Sequence, residues 1–172
     1  MKDSRYSVKT LCVTALLMAI NIVMSSFGVP VPGGRMYLND VIVCIGGILL
    51  DPFEAFMVGG VGAFIGDLLF YPAPMFVSLA VHGLQAVVIS LFSRKKDGRR
   101  MLRSCIGTAI GAVIMIVGYT LGRAYVYSTP AYAVMKLPFQ ILQAVAGGVI
   151  ALILCWKAGL VNLYERFIER KN

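Results

Sequence analysis

The chain alternates between long apolar stretches and short polar connections. A membrane helix needs about 20 mostly apolar residues, and six stretches are candidates: residues 8–27, 37–50, 53–71, 74–92, 102–123 and 132–156. The second stretch is short and contains glycine, so a tilted or re-entrant segment is an alternative there. The tail VNLYERFIERK is amphipathic, which predicts a helix at the membrane surface. The pattern therefore predicts an all-α membrane protein, a single six-helix bundle over residues 1–172.

The composition agrees with a chain that lies in lipid. Of the 172 residues, 59% are hydrophobic and 14% are charged, whereas soluble domains average about 45–50% apolar and about 25% charged residues. A net charge of +8 would suit nucleic-acid binding only on a soluble fold with a basic face. The four cysteines lie in or beside apolar stretches and lack metal-ligand spacing. Neither a disulfide framework nor a metal site is therefore predicted.

The distribution of positive charge predicts the orientation. Thirteen of the sixteen lysine and arginine residues lie before the first stretch, between the fourth and fifth, or after the sixth; they are Lys2, Arg5, Lys9, Arg94, Lys95, Lys96, Arg99, Arg100, Arg103, Lys157, Arg166, Arg170 and Lys171. Cytoplasmic loops carry an excess of these residues, so both termini are predicted to be cytoplasmic. A signal peptide is an alternative for the first stretch, but a small-x-small cleavage site is missing and the topology needs this helix.

Polar and ionisable residues gather in the halves of the stretches that this orientation places outward. They are Asn39, Asp40, Asp67, His82, Gln85, Tyr119, Arg123, Lys136, Gln140 and Gln143. Such groups are costly at membrane depth and usually face a cavity or each other. We therefore predict that they form one outward-facing pocket for a small polar ligand. Aromatic walls are expected from Tyr37, Phe70, Tyr71, Phe76, Tyr119, Tyr125, Tyr127 and Tyr132.

Each of these polar residues also has a purely structural interpretation. Asp67 could pair with Arg123 or Lys136, and His82 could bond to a backbone carbonyl. The glutamines could join neighbouring helices, and the Asn–Asp pair that opens the second stretch could begin a helix. The outer tyrosines could belong to an interfacial aromatic belt. Their common position on one side of the membrane favours a shared pocket.

Small residues are spaced for close helix packing. Gly62 and Gly66 form a GxxxG pair just before Asp67, and Ala15 and Ala19 form a similar pair in the first stretch. Small residues at this spacing let membrane helices approach one another closely. The glycines are therefore predicted to bring the third helix near its neighbours and to place Asp67 inside the bundle.

The order of these features resembles the substrate-binding S component of an energy-coupling factor (ECF) vitamin transporter, over almost the whole chain. ALLMA (15–19) matches the AxxxA motif of that family, residues 37–76 resemble its second and third helices with their Gly/Asp pattern, and LPFQILQAVAGGVIALIL (137–154) resembles its last helix. The subgroup with the closest pattern is linked to vitamin B6 and to the hydroxymethylpyrimidine precursor of thiamine. The tryptophan-lined pocket of a thiamine binder is absent, because the single tryptophan, Trp156, lies at the predicted cytoplasmic end.

The resemblance implies a six-helix protein of the bacterial cell membrane that binds its ligand near the outer face and needs no cofactor. Ala15 and Ala19 would contact a membrane-embedded coupling subunit, and two cytoplasmic ATPases would supply energy. The chain itself lacks a GxxxxGK[ST] phosphate loop, so ATP hydrolysis is expected in those partners and no enzymatic activity in this chain.

Two other functions stay open on the residues alone. A small self-sufficient transporter or channel, as a single chain or an oligomer, would need a polar path through both halves of the bundle, and the inner halves carry few polar groups. An intramembrane hydrolase would need a nucleophile beside a base. Ser78 and His82 are one turn apart on the fourth stretch, and Asp67 of the third could come near them, but no nucleophile motif surrounds the serine.

Overall fold

The computed structural model describes residues 8–95 and 97–169, and over these residues it contains seven helices and one β-hairpin. The elements are α1 Val8–Met24, β1 Val29–Val31, β2 Gly34–Met36, α2 Asn39–Leu49, α3 Pro52–Phe70, α4 Met75–Ser93, α5 Arg100–Tyr127, α6 Pro130–Lys157 and α7 Leu160–Glu169. Five of the basic residues used to predict the orientation lie outside the described residues; they are Lys2, Arg5, Lys96, Arg170 and Lys171.

Four helices, α3 to α6, are long and apolar enough to cross a membrane. Their ends lie within four residues of the predicted stretches, because the length of an apolar run sets a membrane helix closely. The helix α1 has 17 residues and α2 has 11, and at about 1.5 Å per residue both are shorter than a hydrocarbon core of about 30 Å. The mostly helical membrane architecture is confirmed, whereas the count of six spans stays a prediction.

The short helix α2 is the centre of the bundle. Ten of its eleven residues are buried, and its apolar side chains form the main core with residues such as Val58 and Ile89. Two glycines of α2 make these contacts close: a Cβ on Gly46 would lie 3.0 Å from Val58, and one on Gly47 would lie 2.8 Å from Ile89. Because α2 is enclosed by other helices, the bilayer thickness does not have to set its length.

Glycines bring the long helices together, as predicted. In α3, a Cβ on Gly62 would lie 2.9 Å from Asn21 of α1, and one on Gly66 would lie 2.5 Å from Ser25. Asn21 also donates to the carbonyl oxygen of Val58 at 2.7 Å, within a wide turn of α3 over Met57–Val61. The four glycines of α5 pack in the same way against α4; they are Gly107, Gly111, Gly118 and Gly122.

The Pro- and Gly-rich connection between the first two predicted stretches contains a β-hairpin over residues 29–36. The strands pair with Val29 opposite Met36 and Val31 opposite Gly34, so Pro32 and Gly33 form a two-residue turn. Proline presets the backbone of the first turn position, and Gly33 takes a φ of +80°, which favours glycine at the second. The sequence VPVPGGRM carries this turn signal, but strands of three residues are too short to show a clear alternation.

The opposite end of the bundle contains a buried arginine. Arg100 is 9% exposed, and its guanidinium donates to Glu165 of α7 at 2.5 Å and to the carbonyl oxygens of Ser93 and Ile48 at 2.9 and 3.3 Å. The ring of Trp156 lies 5.9 Å from the same guanidinium. One buried cation there thus joins α2, α4, α5 and α7. Arg100 lies just before the predicted fifth stretch, so the expectation of few polar groups in the inner halves of the stretches stays a prediction.

Candidate functional site

A polar cavity lies beneath the hairpin, between the starts of α2, α4 and α6 and the ends of α3 and α5. Its lining comprises Gly34, Arg35, Tyr37, Asn39, Asp67, Tyr71, Pro74, His82, Tyr119, Arg123, Tyr127, Lys136, Gln140 and Gln143. Eight of the ten predicted site residues are in this set. The space open to the centres of water molecules is about 40 Å³, which is enough for about three waters at ~10–15 Å³ each. The cavity is therefore narrow in this conformation.

The other two predicted residues, Asp40 and Gln85, lie behind the cavity wall. Asp40 accepts a hydrogen bond from Nε2 of Gln143 at 2.6 Å and another from Nε2 of Gln85 at 3.3 Å. Oε1 of Gln85 in turn lies 2.8 Å from Nδ1 of His82. The glutamines thus join α2 to α4 and α6, as their structural interpretation requires, and they also connect the buried carboxylate of Asp40 to two residues of the cavity.

Asp67 is held by hydroxyl groups and not by a cation. Ser78 donates to Oδ2 of Asp67, and Tyr119 donates to Oγ of Ser78 at 2.5 Å. Among the described residues, Asp67 forms no ion pair with Arg123 or Lys136. Because the proton of Ser78 goes to a carboxylate and not to His82, this arrangement does not resemble an activated serine nucleophile.

The two cations of α5 and α6 hold the hairpin over the cavity. Nη1 of Arg123 donates to the carbonyl oxygen of Gly33 at 2.5 Å, and Nζ of Lys136 donates to that of Arg35 at 2.6 Å. The turn fits closely on α6, since a Cβ on Gly33 would lie 2.7 Å from the backbone nitrogen of Lys136. The hairpin is therefore the roof of the site, fixed by charged donors on backbone acceptors.

The predicted aromatic residues divide into two groups. Tyr119 lies against His82, with ring centroids 5.1 Å apart and planes 59° apart, and Tyr37, Tyr71 and Tyr127 also line the cavity. The remaining four are exposed on the outside of the bundle and are not walls of the cavity; they are Phe70, Phe76, Tyr125 and Tyr132. The belt interpretation thus suits Tyr125 and Tyr132, whereas Tyr71 and Tyr127 lie at the cavity.

Several polar atoms at the cavity are left for a ligand. Oδ1 of Asn39 and the hydroxyl of Tyr127 are buried without a hydrogen-bond partner among the described residues. Gln140 donates to the sulfur of Met115 at 3.0 Å, a weak acceptor, and its Oε1 has no partner among those residues. Buried polar atoms normally find partners, so this lining suits a ligand that carries both donors and acceptors.

The sequence interpretation missed Arg35, Ser78 and the backbone of Tyr37 as parts of the site. Arg35 was visible as the single basic residue of its outward connection, and Ser78 lies one turn before His82. The peptide N–H of Tyr37 donates to Oε1 of Gln143 at 3.0 Å, and nothing in the residue types signals this contact. The roles of the ten predicted residues in binding stay predictions.

Ala15 and Ala19, the predicted docking residues, are exposed on α1. Ala15 borders a groove formed by α1 and α3, whose other lining residues include Thr14, Met18 and Phe53. Their exposure leaves a smooth face of α1 open to a neighbouring protein, and the contact itself stays a prediction.

Comparison with known proteins identifies relatives in sequence and in structure. Residues 5–159 match the family model described as ECF-type riboflavin transporter, S component. A protein of Pyrococcus woesei, described as an uncharacterized protein in the gap 3′ region, is 31% identical over 134 residues, which cover 77% of this chain and 88% of that protein.

A solved structure has the same fold. It is the structure of the S component of a bacterial ECF transporter. The two chains superpose with a TM-score of 0.70 over 94% of this chain and 98% of that one, at 18% sequence identity. The predicted family is thereby confirmed by the family match, and the solved structure supports the fold. This chain belongs to the S components of ECF-type transporters, the substrate-binding membrane subunits of that transporter class.

Proposed function

We propose that this protein captures a small water-soluble vitamin or vitamin precursor at the outer face of a bacterial cell membrane. It then delivers the ligand inward together with a membrane coupling subunit, which docks at Ala15 and Ala19, and two cytoplasmic ATPases. The observation that carries the proposal is the polar cavity at one end of an apolar bundle, roofed by a hairpin on Arg123 and Lys136. Family membership supports the same role.

The proposed topology has six spans and cytoplasmic termini. The cavity and its hairpin lie at one end of the bundle, where the basic residues are Arg35, Arg123 and Lys136. The described residues at the other end carry most of the remaining positive charge, in the connection after α4 and around α7. Because positive charge favours the cytoplasmic side, this arrangement supports an outward cavity.

The preferred ligands are vitamin B6 and hydroxymethylpyrimidine. Both are single aromatic rings that carry hydroxyl or amine donors and ring-nitrogen acceptors. The cavity offers matching groups: carboxylate and amide oxygens at Asp67, Asn39 and Gln140, and a tyrosine ring at Tyr119 for stacking. The space of about three waters is smaller than any of these ligands, so the cavity must widen for each of them, and it must widen least for a single ring.

Riboflavin is a second candidate, because the description of the matched family model names it. Its three fused rings are much larger than the space of about 40 Å³ found here. Binding would therefore require the hairpin over residues 29–36 to move outward. The two candidates predict different degrees of hairpin movement on binding.

Direct titration of the purified chain in lipid nanodiscs tests this proposal. Pyridoxine and hydroxymethylpyrimidine should bind more tightly than riboflavin, and mass spectrometry should find one of the preferred ligands in protein purified from cells. Tight binding of riboflavin alone would show that riboflavin is the ligand in place of the two preferred ones. ATP-independent uptake by the chain alone in vesicles would overturn the proposed dependence on coupling subunits.

Two substitutions test the predicted contacts. Asp67→Asn and Gln140→Ala should each weaken binding by about tenfold, the cost of one buried hydrogen bond. Asp97→Asn, at the opposite end of the bundle, is the matched control for the acid. Affinities of the wild type in both cavity variants would remove these residues from the binding role.

A further inference from the structure

A continuous chain of hydrogen bonds runs behind the cavity from a backbone amide to an imidazole. Its members, in order, are the peptide N–H of Tyr37, Gln143, Asp40, Gln85 and His82. The residues come from the connection before α2 and from α6, α2 and α4, so the chain closes only in the folded bundle. The Asp40 side chain is 1% exposed and that of His82 is 2% exposed.

The direction of every bond in this chain is set by chemistry. A peptide N–H only donates and an ionised carboxylate only accepts. Gln143 must therefore turn Oε1 toward Tyr37 and Nε2 toward Asp40. Gln85 must likewise turn Nε2 toward Asp40, which leaves its Oε1 facing His82. Nδ1 of His82 is then required to carry a hydrogen, because Oε1 of Gln85 can only accept.

We propose that Asp40, acting through Gln85, places the hydrogen of the neutral His82 imidazole on Nδ1, so that Nε2 faces the cavity as a hydrogen-bond acceptor. Asp40 and Gln85 are thus positioning residues, and His82 is the residue that contacts the ligand. This inference rests on the proposed function and deepens it, because it specifies the ligand group that this side of the cavity selects. That group is a donor: a hydroxyl, an amine or a ring N–H.

The surroundings of His82 agree with this selection. His82 lines the cavity, and its Nε2 has no hydrogen-bond partner among the described residues. The same cavity carries three further acceptors: the Asp67 carboxylate and the unpartnered Oδ1 of Asn39 and Oε1 of Gln140. The strong donors Arg123 and Lys136 are turned to the hairpin roof. A ligand would therefore place its donor groups against His82, Asp67 and Asn39, and its acceptor groups on the side of the hairpin.

NMR of the isotope-labelled imidazole nitrogens tests the tautomer directly. His82 is the single histidine of the chain, so a full-length protein with its affinity tag removed gives one unambiguous pair of ring signals. Ligand-free protein in nanodiscs at neutral pH should show a protonated Nδ1 and an unprotonated Nε2. A wild-type spectrum with the hydrogen on Nε2, or an imidazolium, would overturn the proposal.

Asp40→Asn tests the relay. The backbone of Tyr37 still orients Gln143, so the new side chain must turn its oxygen to Gln143 and its amide hydrogens to Gln85. Gln85 then flips and points a donor at His82, which moves the hydrogen from Nδ1 to Nε2. A folded Asp40→Asn protein that keeps the wild-type tautomer would contradict the relay.

Two further variants keep the test independent of any one substitution. Gln85→Leu removes the acceptor beside Nδ1 and should give a mixture of tautomers. Gln143→Leu removes the other partner of Asp40 and should leave the wild-type tautomer, since Gln85 still faces a carboxylate. A wild-type spectrum for Gln85→Leu would also contradict the proposal.

Titration separates this inference from the proposed function. Pyridoxine should shift the Nε2 signal of the wild type and bind Asp40→Asn about tenfold more weakly, the cost of a lost or reversed hydrogen bond. The predicted tautomer without binding of pyridoxine, hydroxymethylpyrimidine or riboflavin would contradict the proposed function alone. Tight pyridoxine binding with an unshifted Nε2 signal would contradict the inferred contact alone.

Discussion

Lys136 of α6 reaches across the cavity and donates from Nζ to the backbone carbonyl oxygen of Arg35, 2.6 Å away. Lys136 is 2% exposed, so this ammonium group is withdrawn from water and depends on such acceptors. A lysine within a long apolar helix thus fixes a segment more than 100 residues earlier in the chain. The roof of the cavity and its wall are parts of one hydrogen-bonded unit.

Lys136→Met should loosen this roof. Methionine keeps much of the apolar volume but cannot donate to Arg35, so hydrogen exchange in residues 29–36 should become faster. Ligand affinity should fall about tenfold, as expected for one charged hydrogen bond. Hydrogen exchange read by mass spectrometry, together with ligand titration, measures both effects. Lys157→Met, an exposed lysine at the other end of α6, should change neither, and unchanged exchange in Lys136→Met would show that the hairpin does not depend on this contact.

Gly33→Ala should disturb the hairpin through backbone strain and crowding together. The φ of +80° costs a non-glycine residue about 1–2 kcal/mol, and the added Cβ would lie 2.7 Å from the backbone nitrogen of Lys136. Ligand affinity should therefore fall by about tenfold or more, measured by the same titration. Gly98→Ala is the control, because a Cβ there meets nothing within 4 Å; equal affinities for the two variants would exclude a tightly seated turn.

Ala19→Trp should separate ligand binding from transport. The side chain is exposed on α1, and no residue of α1 lines the cavity, so ligand affinity should stay at the wild-type value. ATP-dependent uptake in vesicles with the coupling and ATPase subunits should fall at least tenfold, because a bulky ring prevents close helix contact. Ala80→Trp on the exposed side of α4 is the matched control. Normal uptake by Ala19→Trp would place the docking surface elsewhere.

Arg100→Met should lower the stability of the bundle. The change removes the donor to the carbonyl oxygens of Ser93 and Ile48 and the contact between Arg100 and Glu165. Loss of such buried hydrogen bonds costs about 1–3 kcal/mol, so thermal unfolding in detergent should occur at a clearly lower temperature. A melting temperature equal to the wild type would mean that water replaces these contacts.

Arg103→Met is the control for Arg100→Met. Arg103 pairs with Asp97 in the connection before α5, and hydrogen bonding to Arg103 lowers the pKa of that carboxyl group. The pair therefore favours the fold above the ordinary pKa of an aspartate, and its contribution is lost as the pH falls through the lowered value. Asp97 is exposed and the side chain of Arg103 is partly exposed, so Arg103→Met should change the melting temperature little at neutral pH.

The bounds of the long helices could be predicted because apolar length is an almost direct measure of a membrane span. The common depth of Asp67, His82 and Lys136 could also be predicted, since helix rise converts sequence position into height. Whether each group faces the cavity or lies behind its wall could not be predicted, because that depends on packing between helices. Asp40 and Gln85 have the same depth and polarity as their neighbours, yet they support the lining from behind.

Contacts that depend on the backbone also escaped the sequence interpretation. Arg100 belongs to a cluster of basic residues that looks uniform in sequence, and only the carbonyl ends of α2 and α4 distinguish it. The hairpin was hidden by its brevity and by Pro30 within β1, since proline is unusual in strands. The contacts of Arg100 and the hairpin can be recognised only from the packing of the surrounding helices.

The brevity of α2 has a structural consequence for the ligand. An 11-residue helix covers about half the hydrocarbon thickness, so the upper part of the space that a full span would fill is left to the hairpin and the cavity. The cavity thus exists because one inner helix is short, while the long helices α3 to α6 keep their packing. A related chain could hold a larger molecule by starting its second helix later or lengthening its hairpin, without any change in the outer ring of helices.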